Sequence, residues 1–168
     1  MRYVLQSAVE AVRDLLEGPG GIRSQLEQMA AADPEHTLLS SAFSIRSYGL
    51  KRGLVADEEF TTEPRIRIQV EKLINRRSLK YAPFSGTCNM VLAIEANGDR
   101  HDIVAGQLNC ITDAILLVLD NHVGELDDGI YFGGGYELQI GPVDRGGRGF
   151  QQTAQVRFEL AMDDDGED

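Results

Sequence analysis

From Thr153 to Met162 the sequence alternates without a break: Ala154, Val156, Phe158, Leu160 and Met162 fall on one side, and Thr153, Gln155, Arg157 and Glu159 on the other. Successive side chains of a strand point to opposite faces, so this stretch has to lie with one face on a core and the other toward water. Three more segments carry the same period. In RIRIQVEKLI, Ile66, Ile68 and Val70 alternate with Arg65, Arg67, Gln69 and Glu71. Over residues 85–96, Cys88, Met90, Leu92, Ile94 and Ala96 share a face, and from Tyr131 to Ile140 so do Tyr136, Leu138 and Ile140. The segment 40–49, SSAFSIRSYG, reads as a fifth strand. Half-wet strands of this kind belong to antiparallel sheets with one covered face.

The cover has to be helical. Val4, Leu5, Ala8, Val12, Leu15 and Leu16 recur near 3.6-residue spacing and form one apolar stripe, which Gly18-Pro19-Gly20-Gly21 ends. A short second helix is expected from Ser24, with Ser24 and Glu27 spaced as a capping box, to a stop near Asp33-Pro34. The strongest helix spans about 102–121. Asp102 is its expected N-cap, and Val104, Leu108, Ile111, Ile115, Val118 and Leu119 lie on one side. Helices on one side of a mostly antiparallel mixed sheet of about five strands make a two-layer α+β fold. We expect a single domain over 1–162 and a disordered acidic tail over 163–168. The segments 75–84 and GPVDRGGRGFQ are expected to be exposed, projecting loops.

The 168 residues fit one domain, large enough for a core without disulfides or metal. Cys88 and Cys110 sit among apolar neighbours and read as buried free thiols, which places folding in the cytosol. The N-terminal residues lack a signal-peptide pattern, and no run of 18 apolar residues exists to cross a membrane. Net charge is −11; the closing DDDGED carries five of those charges and leaves the body at −6. Such a surface repels nucleic-acid phosphates. Against it stand two basic clusters, Arg76, Arg77 and Lys80, and Arg145 with Arg148, suited to docking acidic neighbours.

No constellation of reactive groups emerges. The three histidines, His36, His101 and His122, lack the i, i+4 pairing or nearby cysteines of a zinc site. His101 and Asp102 are adjacent at a helix start, where side chains point apart, and His122 suits the negative end of the helix dipole. Asp127-Asp128 lacks the alternating ligands of a calcium loop. Gly133-Gly134-Gly135 carries no phosphate-loop lysine and reads as a bulge or a close backbone approach, with subunit packing as the sharper alternative. The sequence therefore predicts no catalytic, cofactor-binding or metal residues.

An amphipathic first helix, a long strand pair, an inner helix carrying ITDAILLVLD, then YFGGGYELQIGP and FQQTAQVRFELAM follow in order. In this order the chain resembles the tail terminator (tail completion) proteins of long-tailed bacteriophages, or a related phage neck protein, over most of residues 1–162. It departs from them in a longer stretch between 17 and 41 and in its acidic tail. The resemblance implies a structural virion protein assembled in the host cytoplasm. Copies form a ring, usually a hexamer, at the head-proximal end of the tail. That ring ends tail-tube growth and joins tail to head. Its partners are other copies, the tail tube protein and a head-completion or neck protein, with DNA passing through the lumen without specific binding. Contacts between subunits, or with the tube, fall to Arg76, Arg77, Lys80, Gly133, Gly134, Gly135, Arg145 and Arg148. Six bodies at −6 each would sum to about −36, a charge suited to a repulsive lumen. The alternative is a small cytosolic ligand-binding domain or enzyme with a pocket between sheet and helices, lined by Tyr48, Tyr81, Tyr131 and Tyr136.

Overall fold

A computed structural model of the chain describes residues 3–32, 44–47, 64–76, 84–147 and 149–164. The elements run α1 (Val4–Glu17), α2 (Ile22–Ala32), β1 (Ser44–Ser47), β2 (Arg65–Asn75), β3 (Phe84–Gly98), α3 (His101–Asn121), β4 (Gly124–Asp127), β5 (Ile130–Ile140), β6 (Asp144–Gly146) and β7 (Gly149–Asp164). The strands make one sheet in the order β1-β2-β3-β7-β5-β4, with β6 added beside β7. Only β1 and β2 pair in parallel; the other pairs are antiparallel. The α+β fold with helices on one face is thus observed, with seven strands where the sequence predicts five. The additions are the short β4 and β6.

The alternating segments land as their period requires. Cys88, Met90, Leu92, Ile94 and Ala96 of β3, and Ala154, Val156, Phe158, Leu160 and Met162 of β7, are all buried. The two strands pair along their length, from Phe84 opposite Asp164 to Gly98 opposite Phe150. Helix α3 lies across this pair and buries Val104, Leu108, Ile111, Ile115, Val118 and Leu119. Its length and mean hydropathy of 1.6 would also suit a membrane span. Here, however, its apolar side closes the core, and fully burying each such side chain contributes about 1.5–3 kcal/mol. α1 packs beside it over β1 and β2, with Ala8, Val9, Ala11, Val12 and Leu16 turned inward. Phe132 of β5 meets Phe158 edge-on, with ring centroids 5.4 Å apart.

Several local expectations need correction. α2 begins at Ile22, not Ser24: the Gly21 carbonyl accepts from the Gln25 amide at 3.1 Å, and Ser24 is already helical. Ile22 is fully buried, so core packing, not a capping box, sets the start. α3 begins one residue before Asp102. Arg100 takes the N-cap position without a side-chain cap, and Asp102 sits in the first turn, where a carboxylate favours the dipole. The segment after β5 is no loose loop. Gly141 donates to the Thr153 carbonyl at 2.9 Å, Gln152 Nε2 donates to the Gly141 carbonyl at 2.9 Å, and β6 closes a tight hairpin with Gly146 opposite Gly149. The predicted tail also starts too early, because Asp163 and Asp164 complete β7, where Asp164 is buried. Arg65, expected on the wet face, is buried as well. Residues 40–43 and 48–49 of the expected first strand, most of the 75–84 loop and residues 165–168 lie outside the described residues.

Leu92→Ala is expected to cost about 2–5 kcal/mol in urea unfolding, since Leu92 is wholly enclosed between sheet and α3. Thr153→Ala, on the exposed face one strand away, is expected to stay within about 0.5 kcal/mol of the parent.

Candidate functional site

The glycine run sits in the middle of β5 and interrupts its pairing. Phe132 stands opposite Leu160, yet the next paired residue, Tyr136, stands opposite Phe158. Four steps along β5 thus match two along β7, a bulge of two additional residues. Gly134 adopts φ +91, and a Cβ there would come within 3.1 Å of Val123 Cγ2. Glycine is required at this point by both backbone and space.

Beyond the bulge β5 changes character. β4 pairs with it only from Ile130 to Phe132. From Gly133 to Ile140, β5 has no partner on the side away from β7 among the described residues. An edge of this kind presents free backbone donors and acceptors. The pairing with Phe158, Val156 and Ala154 puts Tyr136, Leu138 and Ile140 on the helix-covered face. The helices cover that row only in part: Leu138 packs against the core, while its neighbours stay more open. Tyr136 is 38% exposed and Ile140 49%, and Leu117 on α3 is 39% exposed. Tyr136 hydrogen-bonds the Asp120 carboxylate; burial and that charge raise its pKa above the ordinary phenol value. On the opposite face stand Glu137 and Gln139, exposed. There Arg157 donates to Gln139 Oε1 at 3.4 Å and approaches Glu71 Oε2 at 3.6 Å.

The other candidate contact residues do not converge on this edge. Arg76 is exposed at the end of β2, its amide bonded to the Ser85 carbonyl at 2.6 Å. Arg145 is exposed in β6, opposite Phe150, at the other end of the sheet. Arg77, Lys80 and Arg148 lie outside the described residues. Arg76 shares its end of the sheet with Asp163 and Asp164, which pair with Ser85 and Phe84. The basic cluster therefore starts beside the chain's own acidic close. Of the predicted set, Gly133, Gly134 and Gly135 lie on the open edge; the row Tyr136, Leu138 and Ile140 was not singled out as a contact surface. Its shared face was readable from alternation, but the thinness of its helical cover was not.

The two described histidines are engaged locally. His122 Nδ1 lies 2.7 Å from the Val118 carbonyl at the end of α3, the stabilising placement expected there. His101 meets the Phe150 ring edge-on at 5.8 Å, while Asp102 pairs with Arg100 at 2.8 Å, so the two neighbours do point apart. No group of three or more His, Cys, Asp or Glu among the described residues is placed to hold a metal. His36, Tyr48 and Tyr81 lie outside those residues. Tyr131 and Tyr136 stand on opposite faces of β5, so they cannot line one cleft. The Glu125 carboxylate raises Tyr131, with burial, the hydrogen bond to Glu125, and Asp128 and Asp163 acting in the same direction. A hollow of ≈ 430 Å³ opens between the ends of α1 and α3 and β4, with Asp14, His122 and Glu125 among its lining. Burial pushes the Cys88 thiol up to about 11, and burial with Asp113 raises Cys110.

No protein-family model matches the chain, and no curated protein gives a significant match to it.

Gly134→Ala is expected to lower stability by about 1–3 kcal/mol in chemical denaturation, and trimming Val123→Ala in the same chain to return the steric part. At pH 8 Cys88 holds about a hundredfold less thiolate than an ordinary thiol. Neither cysteine should react with an aromatic disulfide reagent on a minutes timescale until denaturant is added; prompt labelling of the native protein would contradict both burials.

Proposed function

We propose that the chain is a structural subunit of a phage tail, working by association with copies of itself in a ring at the head-proximal end. There the ring ends tube growth and joins tail to head, as a tail terminator or related neck protein does. The observation that carries this reading is the uncovered end of β5. Along it, a backbone edge with no partner among the described residues and two exposed apolar side chains, Tyr136 and Ile140, are offered together to a partner. Large apolar groups on an open strand are an aggregation liability in a free-standing domain, and become useful when another chain covers them. The element order that resembles tail terminators supports the same reading. Self-association through two unlike surfaces generates a ring when the rotation closes. The charge of −11 per copy suits a lumen through which DNA slides without being held.

The hollow beside His122 supports a second reading, in which the domain binds a small molecule. A metabolite that binds there would raise the melting temperature, by about 2.7 kcal/mol of stabilisation at a hundredfold excess over its dissociation constant.

Native mass spectrometry and negative-stain imaging of the purified protein are expected to show closed rings, six copies being the favoured number, or oligomers that close when tail tubes are added. A protein that stays monomeric at high concentration and lets tube growth continue would overturn the proposal.

A further inference from the structure

A negatively charged hollow and an exposed cation lie at opposite ends of the same chain. The hollow of ≈ 430 Å³ is lined by Asp14, His122 and Glu125 together with Leu15, Val123 and Leu126, and by no described lysine or arginine. α1 and α3 both end there, and neither carries a basic residue in its last turn. The negative ends of two helix dipoles therefore add to the two carboxylates. Acceptors above an aliphatic wall suit a cation on a carbon stem, which buries its methylenes while its head meets the anions.

Arg145 has that form. It is exposed on β6, just before the tight turn where Gly146 stands opposite Gly149 and Gly147 adopts φ 52. Glycines without side chains leave the tip slender. Arg145 has no ion pair or hydrogen bond to its side chain among the described residues. It stands opposite Phe150, which is in step with the buried Ala154 and Val156, so it faces the helix side of the sheet, where the hollow also opens.

The chain cannot fill its own hollow. β4 joins the sheet at Phe132, which is level with Leu160, whereas Arg145 is level with Phe150. Ten residue steps along β7 separate the two places, about 33 Å. α3 gives the same span: its 21 residues run from His101, beside Phe150, to Asn121 at the hollow, about 31 Å. The end that carries Arg145 also carries Ile140, opposite Ala154 and 49% exposed, and the hollow carries Val123, 59% exposed. Charge complements charge, and each end adds an apolar group that can shut water out around the pair.

We infer that Arg145 of one copy seats in the hollow of the next, its guanidinium between Asp14 and Glu125 and its stem against Leu15 and Leu126, with Ile140 laid over Val123 at the rim. The two surfaces are unlike, so the contact is heterologous, as a closed ring needs. This inference rests on the self-associating reading above and names its contact.

The test combines charge exchange with cross-linking in the full chain. Arg145→Glu alone and Glu125→Arg alone should each weaken association about tenfold in sedimentation, and the double reversal should restore it. The double variant Arg145→Cys with Glu125→Cys is expected to form, on mild oxidation, a series of covalent oligomers that reducing agent collapses, while neither single variant does. Circular dichroism of each variant checks that the fold is kept. Covalent oligomers from a single variant, or an oligomeric parent with neither cross-linking nor rescue, would overturn the hairpin-to-hollow contact and leave the ring standing. A parent that never associates would overturn both.

Discussion

The pairing of β3 with β7, with α3 laid across it, is the constraint on which the rest depends. These two strands are the longest of the sheet and pair from end to end. Each puts five consecutive alternate residues into the core. Because α3 packs on both, one helix and one strand pair enclose most of the fully buried side chains. Everything else is hung from this unit. β2 and β1 extend it on one side, β5 and β4 on the other, and α1 and α2 fill the remaining width of the helical layer.

That dependence explains where the sheet runs out of cover. A single long helix shields about two strands, and α1 lies mainly over β2 and β1 while also touching β4. The far half of β5 therefore keeps its apolar row only partly covered, with Tyr136 reaching Asp120 of α3 and Ile140 left exposed. The glycine bulge marks the point of change. Before it, Ile130 and Phe132 are buried and paired on both sides; after it, β4 has ended and, among the described residues, β5 pairs with β7 alone. Gly134, which leaves room for Val123, lies within that change.

What the sequence made legible was periodicity. Every long element except α2 followed from spacing of two or 3.6, and the buried faces of β3, β7 and α3 follow from residue type alone. Short elements escaped it. β4 and β6 have four and three residues, too few to show a period. Their turns were nonetheless written in the chain: Asp128-Gly129, with Gly129 at φ 71, joins β4 to β5, and Gly147 at φ 52 lies in the turn between β6 and β7. The open edge itself left no such mark. Tyr136, Leu138 and Ile140 look in sequence like any half-buried strand, because whether a strand has a neighbour depends on sheet order, a long-range property. Arg65 illustrates the same limit: alternation puts it on the wet face, yet it is buried.

An open, partly apolar edge also poses a problem for the free chain, and the charges around it define how that is contained. Glu137 sits at the centre of the exposed stretch, Pro142 ends it, and the bulge bends its start, three devices that hinder indiscriminate strand pairing. Net repulsion between acidic copies acts at longer range, but at physiological ionic strength it falls away over about 8 Å. It therefore discourages loose encounters more than it opposes a fitted contact, whose hydrogen bonds and apolar packing act within about 4 Å. Glu137 also stands level with Arg157 of β7, so any chain approaching this edge meets an anion and a cation side by side, and an apolar strand would have to desolvate both.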